Sequence, residues 1–253
     1  GLKREDGMDA NQRKHMGLLS GTLIGALGGL IGLGGAEFRL PVLVGLFRLP
    51  TLEAVILNKA MSLVVVSAAL VFRIQTIPAT LLADHADVAI NLLAGSLVGA
   101  WWAAGHAIRM SRHWLSRIIM VLLALLSLVM LAEALFGTAG GSTPLFQSPL
   151  LRYPAGLLAG FGIGSVAALL GVAGGELLIP TIVLLYGLDI KLAGSLSLVV
   201  SLPTMIVGFA RYTGSDAFQV IRQEQSLFRF MAAGSILGAG LGGLLLGIVP
   251  TQA

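Results

Sequence analysis

The chain contains one short pattern twice, first as Gly32-Leu-Gly-Gly-Ala-Glu-Phe-Arg-Leu-Pro41 and again as Gly171-Val-Ala-Gly-Gly-Glu-Leu-Leu-Ile-Pro180. An apolar stretch precedes and follows each copy. Glycine disfavours a helix and permits backbone dihedrals that other residues avoid, whereas proline is tolerated in the first turn of a helix. The pattern therefore predicts that one helix ends in the glycines and that a new helix begins shortly before the proline.

The composition indicates that the solvent around these helices is largely lipid. Hydrophobic residues make up 56% of the 253 residues, charged residues make up 11%, and the mean hydropathy is +0.92. A soluble domain carries about 25% charged residues because a surface in water needs them. The 34 glycines agree with a membrane protein, since small residues let helices approach closely where lipid provides no hydrophobic drive to pack.

Several classes of function are not expected from the residue types present. The absence of cysteine excludes disulfides and thiolate metal sites. The pI near 9.9 does not indicate a nucleic-acid partner, because cytoplasmic loops of membrane proteins carry surplus Lys and Arg. The sequence has no nucleotide-binding motif, so ATP hydrolysis by this chain is not expected. We expect no catalytic residue, no resident metal and no cofactor.

Nine apolar segments divide the chain. They cover residues 16–33, 40–47, 51–72, 88–108, 114–136, 153–171, 178–186, 191–210 and 227–249. A spanning helix needs about 20 apolar residues to cross the hydrocarbon core, and five of the nine segments reach this length. The second and seventh segments are too short, and each follows a segment that ends in glycines. We therefore interpret each of these two places as a pair of partial helices that meet at a break.

The sequence repeats itself, without a gap, at a shift of 139 positions. The aligned pairs include Gly17 with Gly156, Gly21 with Gly160, Gly25 with Gly164, Glu37 with Glu176, Pro41 with Pro180 and Ala94-Gly-Ser96 with Ala233-Gly-Ser235. A register of about eighty residues that includes glutamate and proline indicates an internal duplication. We predict repeat one at 16–108, a linker helix at 109–136 and repeat two at 153–253.

The positions of the basic residues predict the orientation in the membrane. Arginines cluster around the connections after the fourth and eighth segments, at Arg109, Arg112, Arg117, Arg211, Arg222 and Arg229. Under the positive-inside rule these connections are cytoplasmic, whereas residues 74–87 and the loop at 137–152 lie outside. If each broken pair enters the membrane and returns as a hairpin, every connection satisfies this rule. The tail at 1–15 then lies in the cytoplasm.

The number of membrane crossings in each repeat predicts that the two repeats have opposite orientations. Each repeat contains an even number of crossings, and a single linker helix joins the repeats, so repeat two begins on the opposite face. The predicted fold is an all-α integral membrane protein with two inverted-topology repeats, each made of a re-entrant helix hairpin and two spanning helices. This architecture gives many secondary transporters two equivalent gating states.

The paired glycine-rich motif resembles that of the TauE/SafE sulfite exporter family. The stretch Leu57-Asn-Lys-Ala-Met-Ser-Leu63 and its counterpart Leu196-Ser-Leu198 also fit, and the resemblance covers residues 16–249. It implies an integral membrane carrier for small sulfur-containing anions such as sulfite, sulfoacetate or related sulfonates. The first motif departs from the family in Ala36 and Arg39, where a glycine and an apolar residue are usual. We therefore expect the two half-sites to be unequal.

The two breaks are candidate anion-binding elements. Irregular backbone at membrane depth persists only where it is buried in protein or lines a wet cavity. The N-terminus of a restarted helix offers free N–H groups and a partial positive charge, which together attract an anion. The predicted substrate-binding backbone comprises Gly34, Gly35, Ala36, Gly174 and Gly175. The alternative is a tight corner where helices pack, which glycine also serves.

Four of the ionisable residues in the breaks and apolar segments are candidates for the site, because a charge at membrane depth is costly and needs an explanation. Glu37 and Glu176 either exchange the coupling proton or cap the helices that begin beside them. Arg39 either binds the anion through its planar donor fork or neutralises Glu37. Lys59 either provides a counter-charge for the substrate or extends its long side chain to the cytoplasmic interface.

Asn58 and Ser62, which align with Ser197 and Ser201 under the shift of 139, complete the candidate site. Asn58 and Ser62 are four residues apart, as are Ser197 and Ser201, so the two residues in each half share one face of a helix. They either donate hydrogen bonds to the oxygens of an anion or bond to a neighbouring helix, as serines in membrane helices commonly do. All four are included among the predicted substrate-binding residues.

These features predict a multi-pass secondary transporter of the bacterial inner membrane. We expect it to export a small sulfur-containing anion in a process driven by the proton gradient. Its partners are then the anion, protons and the lipid bilayer, and assembly as a homodimer is left open. The alternatives are an anion channel and a membrane subunit that transports nothing. An intramembrane enzyme would need a nucleophile–base pair or metal ligands at depth, and the sequence shows neither.

Overall fold

The computed structural model describes residues 7–31, 35–74, 79–136 and 143–248, which form helices and connections with no strand. The helices are α1 (Ala10–Ile31), α2 (Ala36–Gly45), α3 (Thr51–Ile74), α4 (Ala79–Asp84), α5 (Ala86–Arg109), α6 (Arg112–Phe136), α7 (Pro149–Leu170), α8 (Gly175–Tyr186), α9 (Ile190–Tyr212), α10 (Val220–Gln223) and α11 (Gln225–Ile248). Each of the nine predicted apolar segments corresponds to one of these helices.

Within the part of the chain that the structure describes, five helices are long and apolar enough to cross a bilayer, namely α3, α5, α6, α7 and α9. This confirms the prediction of an all-α integral membrane protein. The linker helix α6 exposes many of its apolar side chains, among them Met120, Leu128 and Leu135. Such exposure is expected of a helix whose solvent is lipid rather than water.

Three helices begin at positions that differ from the limits drawn from the sequence. α1 begins at Ala10, six residues before the first apolar segment. Arg13 in this first part of α1 forms a buried ion pair with Glu224, with Nη2 and Oε2 2.7 Å apart, and this tertiary contact stabilises the polar start of the helix. α7 begins at Pro149 rather than at 153, because proline is well accommodated at the first helical position. α6 begins at Arg112, three residues later than predicted.

Both predicted helix breaks are confirmed. α2 begins five residues after α1 ends, and α8 begins five residues after α7 ends. Gly35 and Gly174 precede the new helices with left-handed φ values of 74° and 85°, which glycine adopts without strain. Pro41 and Pro180 lie in the second turn rather than the first. Because proline has no N–H, the carbonyl groups four residues earlier lose their helical donors, and these carbonyls belong to the two glutamates of the motif.

Glycines hold together two pairs of helices, α1 with α11 and α5 with α7, whose contacts are the most extensive in the fold. A Cβ atom at any of these glycines would overlap the backbone of the partner helix, so only glycine permits this approach. Close backbone approach lets helices gain dispersion energy in lipid. The glycines concerned are Gly21, Gly25, Gly29, Gly95, Gly99, Gly160, Gly164, Gly234 and Gly238.

These two helix pairs are related by the sequence repeat. The shift of 139 aligns the glycines of α1 with those of α7, and it aligns Gly95 and Gly99 of α5 with Gly234 and Gly238 of α11. The first helix of each predicted repeat therefore packs on the last helix of the other repeat. The two halves are interleaved, and neither forms a core alone.

One end of the molecule brings together the starts of α1, α3, α6 and α11. Arg13 pairs with Glu224 just before α11, and its guanidinium carbon lies 5.5 Å from the ring centroid of Phe47. Thr51 follows shortly after Phe47, and its Oγ1 atom lies 2.6 Å from Oγ of Ser116 in α6. The start of α1 thus lies at the same end as the arginine-rich connections.

A second group of contacts joins the first part of α5 to the first part of α7 and to the end of α8. The hydroxyl of Tyr153 donates to Oδ2 of Asp87 at 3.0 Å, and Nδ2 of Asn91 donates to the hydroxyl of Tyr186 at the end of α8. The connections predicted to lie outside therefore share one end of the molecule.

α3 and α9 pass between the two helix pairs. They contact each other, and each also packs against the short helix of its own half, α3 against α2 and α9 against α8. α3 further contacts α11 and α7, while α9 contacts α5. α3 and α9 therefore lie beside the short helices α2 and α8, which follow the two breaks.

Candidate anion and proton site

The two motif glutamates meet in the interior. Glu37 lies in the first turn of α2 and is 5% exposed, and Glu176 lies in the first turn of α8 and is 3% exposed. Their carboxyl groups interact electrostatically. The sequence repeat predicted equivalent positions for these residues, and the structure brings them into one site.

Glycines occupy the N-cap positions of α2 and α8, and the two glutamates lie in the first turns that follow. Both carboxyl oxygens of Glu37 and Oε2 of Glu176 are buried without a hydrogen-bond partner. Two buried carboxylates without partners repel each other and lose their hydration. Protonation of one carboxyl group would remove much of this cost.

Arg39 is 1% exposed and is held by three neutral side chains. Its Nε donates to Oδ1 of Asn58 at 3.1 Å, Nη2 donates to Oγ of Ser62 at 2.9 Å, and Nη1 donates to Oγ of Ser235 at 3.3 Å. Arg39 makes no direct ion pair with Glu37, but the two residues interact electrostatically. Neutralisation of Glu37 and binding of an anion both remain predictions for Arg39.

Asn58 joins the two breaks. Its amide nitrogen donates to the carbonyl of Ala36 at 3.0 Å and to the carbonyl of Leu170 at 2.9 Å. Ser62 lies one turn later, with Oγ 2.9 Å from the carbonyl of Gly171. Asn58 thus connects the start of α2 to the end of α7, and Ser62 satisfies another carbonyl that the end of α7 leaves without a helical donor.

Lys59 is fully buried, and its Nζ donates to the carbonyl of Ala167 at 3.0 Å. The hydroxyl of Tyr212 donates a hydrogen bond to the next carbonyl in the chain, that of Ala168, at 2.9 Å. A cation is favoured at the C-terminal end of a helix, where the macrodipole is negative. The alternative in which Lys59 extends to the cytoplasmic interface is wrong. Gly208 makes room for this side chain, because a Cβ there would lie 2.8 Å from Lys59 Cε.

The second half of the site is built from smaller side chains. Leu178 occupies the position that aligns with Arg39, so this half has no guanidinium. Ser197 donates to the carbonyl of Gly194 at 2.8 Å and lies near the start of α8. Ser201 is 1% exposed, and its hydroxyl has no hydrogen-bond partner. The two halves of the site are unequal in charge and in hydrogen bonding.

The predicted backbone groups have different surroundings. Gly35, Ala36 and Gly174 are buried, and Gly175 is half-buried. Gly34 lies outside the described residues. The sequence analysis missed Ser235 and Tyr212; the alignment of Ser235 with Ser96 was visible in the repeat, but nothing local indicated either contact.

An enclosed polar centre, surrounded by helices long enough to cross a bilayer, defines a multi-pass membrane protein with interrupted helices. In the described residues, no group of three or more His, Asp or Glu side chains is arranged to hold a metal ion. The family described as Sulfite exporter TauE/SafE matches residues 18–253, nearly the whole chain. The chain belongs to this family of membrane transporters, as the resemblance predicted. No curated protein and no solved structure gave a match.

Proposed function

We propose that the protein is a secondary carrier that exports small sulfur-containing anions such as sulfite or sulfoacetate across the bacterial inner membrane, coupled to protons. One observation carries this proposal. Two interrupted helices, one from each predicted repeat, each place a buried glutamate in the first turn after the break, and these two glutamates interact electrostatically.

The proposed anion site consists of backbone amides at the two helix starts. Intrahelical bonds begin with Phe38 in α2 and with Leu177 in α8, which both donate to the glycine before the helix. The earlier amides of each first turn have no intrahelical acceptor, as at any helix start. These amides and the positive ends of the two helix dipoles favour an oxyanion. Arg39 adds a charge that no carboxylate neutralises by direct contact.

Proton and anion occupancy are linked at this site in our proposal. Two ionised glutamates would repel an anion held by the amides next to them, whereas a proton shared by the pair removes much of that repulsion. The anion and the proton therefore bind together. A divalent anion that travels with one proton retains negative charge, and a membrane potential favours its outward movement by about 2.3 kcal/mol per charge and 100 mV. The electrical part of the proton gradient then drives export.

The test of the function is flux into and out of liposomes that contain the purified protein. We expect saturable transport of sulfite and sulfoacetate, with thiosulfate and sulfate as competitors and a carboxylate as the control anion. Saturation distinguishes a carrier from a channel, which would give large voltage-dependent currents. Absence of flux for every anion would identify a subunit that transports nothing and would contradict the proposal.

The charged and hydroxyl groups of the site are expected to contribute unequally to anion affinity. Arg39→Gln and Lys59→Gln each remove a buried positive charge, and loss of a charge-assisted interaction weakens binding by about 1.5–3 kcal/mol, roughly ten- to a hundredfold. Ser201→Ala removes a hydroxyl that has no protein partner, and we expect a loss of around 1 kcal/mol. Calorimetry on folded, monodisperse variants measures these affinities. Wild-type affinity in all three would exclude side chains from the anion site.

The inverted repeat is proposed with boundaries at 16–108 and 153–253. It is supported by helix packing, because the first helix of each repeat packs on the last helix of the other repeat, α1 on α11 and α7 on α5. It is also supported by the two groups of connections, which lie at separate ends of the molecule. The N-terminus is then cytoplasmic, because the end that contains it also carries most of the arginines.

Cysteine labelling is expected to show opposite sides for the two ends. The natural chain has no cysteine, so each introduced thiol reports alone. Asp84→Cys should react with an impermeant reagent on intact cells, whereas His113→Cys should react only after permeabilisation. Both positions are exposed. Labelling of both from the same side would contradict the proposed topology.

A further inference from the structure

A second basic site lies away from the glutamates, where α5 and α9 end. It is a cavity of about 190 Å³, several times the roughly 30 Å³ that one water occupies in the liquid. The lining residues are Trp101, Trp102, Gly105, His106, Arg109 and Arg211. None of them is acidic. The cavity therefore has space and positive charge for an anionic group, and it belongs to neither helix break.

Arg211 is positioned by packing rather than by pairing. Its guanidinium carbon lies 4.7 Å from the ring centroid of Trp101. A Cβ at position 105 would lie 3.1 Å from Nε and 3.2 Å from Nη2 of Arg211, so Gly105 lets the arginine lie across α5. Nε is buried without a hydrogen-bond partner, and no described residue pairs with the guanidinium. Its donors are held in place and are available to a ligand.

His106 completes the polar wall of the cavity. Nδ1 of His106 donates a hydrogen bond to the backbone carbonyl of Trp102 at 2.8 Å. The ring centroids of His106 and Trp102 are 4.3 Å apart. The other ring nitrogen is therefore oriented by this contact. Arg109 is exposed at the last position of α5. Two arginines and one histidine thus surround the same space.

The surroundings of the cavity are those of a membrane interface. Trp101 and Trp102 are each 50% exposed, and half-exposed tryptophans at the ends of spanning helices lie at the level of lipid headgroups. One turn deeper, Val98 on α5 is 60% exposed, and Leu158 on the adjacent α7 is 74% exposed. A ligand in the cavity would therefore continue along an apolar surface toward the bilayer interior.

We propose that this cavity binds the phosphate headgroup of an anionic phospholipid. The planar donor fork of Arg211 suits a phosphate, and basic pockets beside spanning helices at the cytoplasmic side are known to favour anionic lipids. The apolar surface below the tryptophans accepts the acyl chains. The site does not depend on the transported anion, and its failure would leave the proposed transport function unaffected.

The test measures lipid binding to the purified full-length protein by native mass spectrometry. The probes are phosphatidylglycerol and phosphatidylcholine with the same acyl chains, with inorganic phosphate as a competitor. We expect phosphatidylglycerol to bind more tightly than phosphatidylcholine, and Arg211→Gln to weaken its binding by about tenfold or more. Gly105→Leu is expected to give a similar loss, because it displaces Arg211 without changing the net charge.

Arg229→Gln provides the matched control, because Arg229 is an exposed arginine outside the cavity, and we expect wild-type binding. If Arg211→Gln does not elute as a monodisperse protein, Arg109→Gln at an exposed position replaces it. Wild-type affinity for phosphatidylglycerol in both the arginine variant and Gly105→Leu would overturn the proposal. Displacement of the lipid by an equal concentration of inorganic phosphate would assign the cavity to a free anion and would also overturn it.

Discussion

Replacing Glu37 and Glu176 together with Gln is expected to abolish the pH dependence of transport while anion exchange continues. The two carboxyl groups are buried and interact electrostatically, and in our proposal they bind the coupling proton as a pair. Gln keeps the size of the side chain and one acceptor oxygen but cannot bind this proton. Wild-type transport is expected to fall as pH rises, by up to about tenfold per pH unit for one linked proton.

Each single variant, Glu37→Gln or Glu176→Gln, is expected to change the pH dependence without abolishing it, since the remaining carboxyl group still binds a proton but no longer interacts with a second carboxylate. Glu53→Gln is the control, because Glu53 lies in the first turn of α3, near Arg112 and Glu224 and outside the site. The measurement is sulfite flux in liposomes across a pH series at a fixed membrane potential. Normal pH dependence in both single variants and in the double variant would show that the pair binds no coupling proton.

Gly164→Ala is expected to destabilise the protein strongly, whereas Gly162→Ala in the same helix is not. A Cβ at position 164 would overlap the backbone of Ser96 in α5, while a Cβ at position 162 meets nothing within 4 Å. Forcing extra volume into a well-packed contact costs about 1–3 kcal/mol. At an open helical position, alanine is favoured over glycine by up to about 1 kcal/mol. Thermal unfolding in detergent micelles compares the two variants.

The repeat provides a second matched pair for this experiment. Gly25 aligns with Gly164, and a Cβ there would overlap the backbone of Ser235 in α11. Gly25→Ala is therefore expected to lower the melting temperature as much as Gly164→Ala does. Gly240→Ala, at an open position in α11, serves as its control. Equal melting temperatures for the tight and the open positions would mean that close helix approach does not stabilise the fold.

The helices and their breaks were predictable because they follow from local chemistry. A segment in lipid must satisfy its own backbone groups, so helix formation in each apolar segment does not depend on a distant partner. The glycine-rich breaks are equally local. The polar start of α1 does not follow from local chemistry, because the ion pair that stabilises it joins Arg13 to a residue 211 positions away.

The polar centre was only partly predictable. The sequence identified the charged residues of the centre, since every ionisable group in an apolar segment needs an explanation. It did not identify their partners. Arg39 was weighed as a partner of Glu37, yet it donates to Asn58, Ser62 and Ser235. A buried donor takes the acceptor that is nearest in space, and helix packing decides which acceptor that is.

The sequence by itself determined that this is a helical membrane protein with two broken helices and a glutamate in each break. Hydropathy, glycine spacing and the shift of 139 are all properties of the chain. Only the tertiary structure decided that Glu37 and Glu176 meet, that Lys59 serves the end of α7 and that Arg211 crosses α5 at Gly105. A repeat shows which positions are equivalent, whereas contact between them depends on how glycine stripes from different halves pack together in lipid.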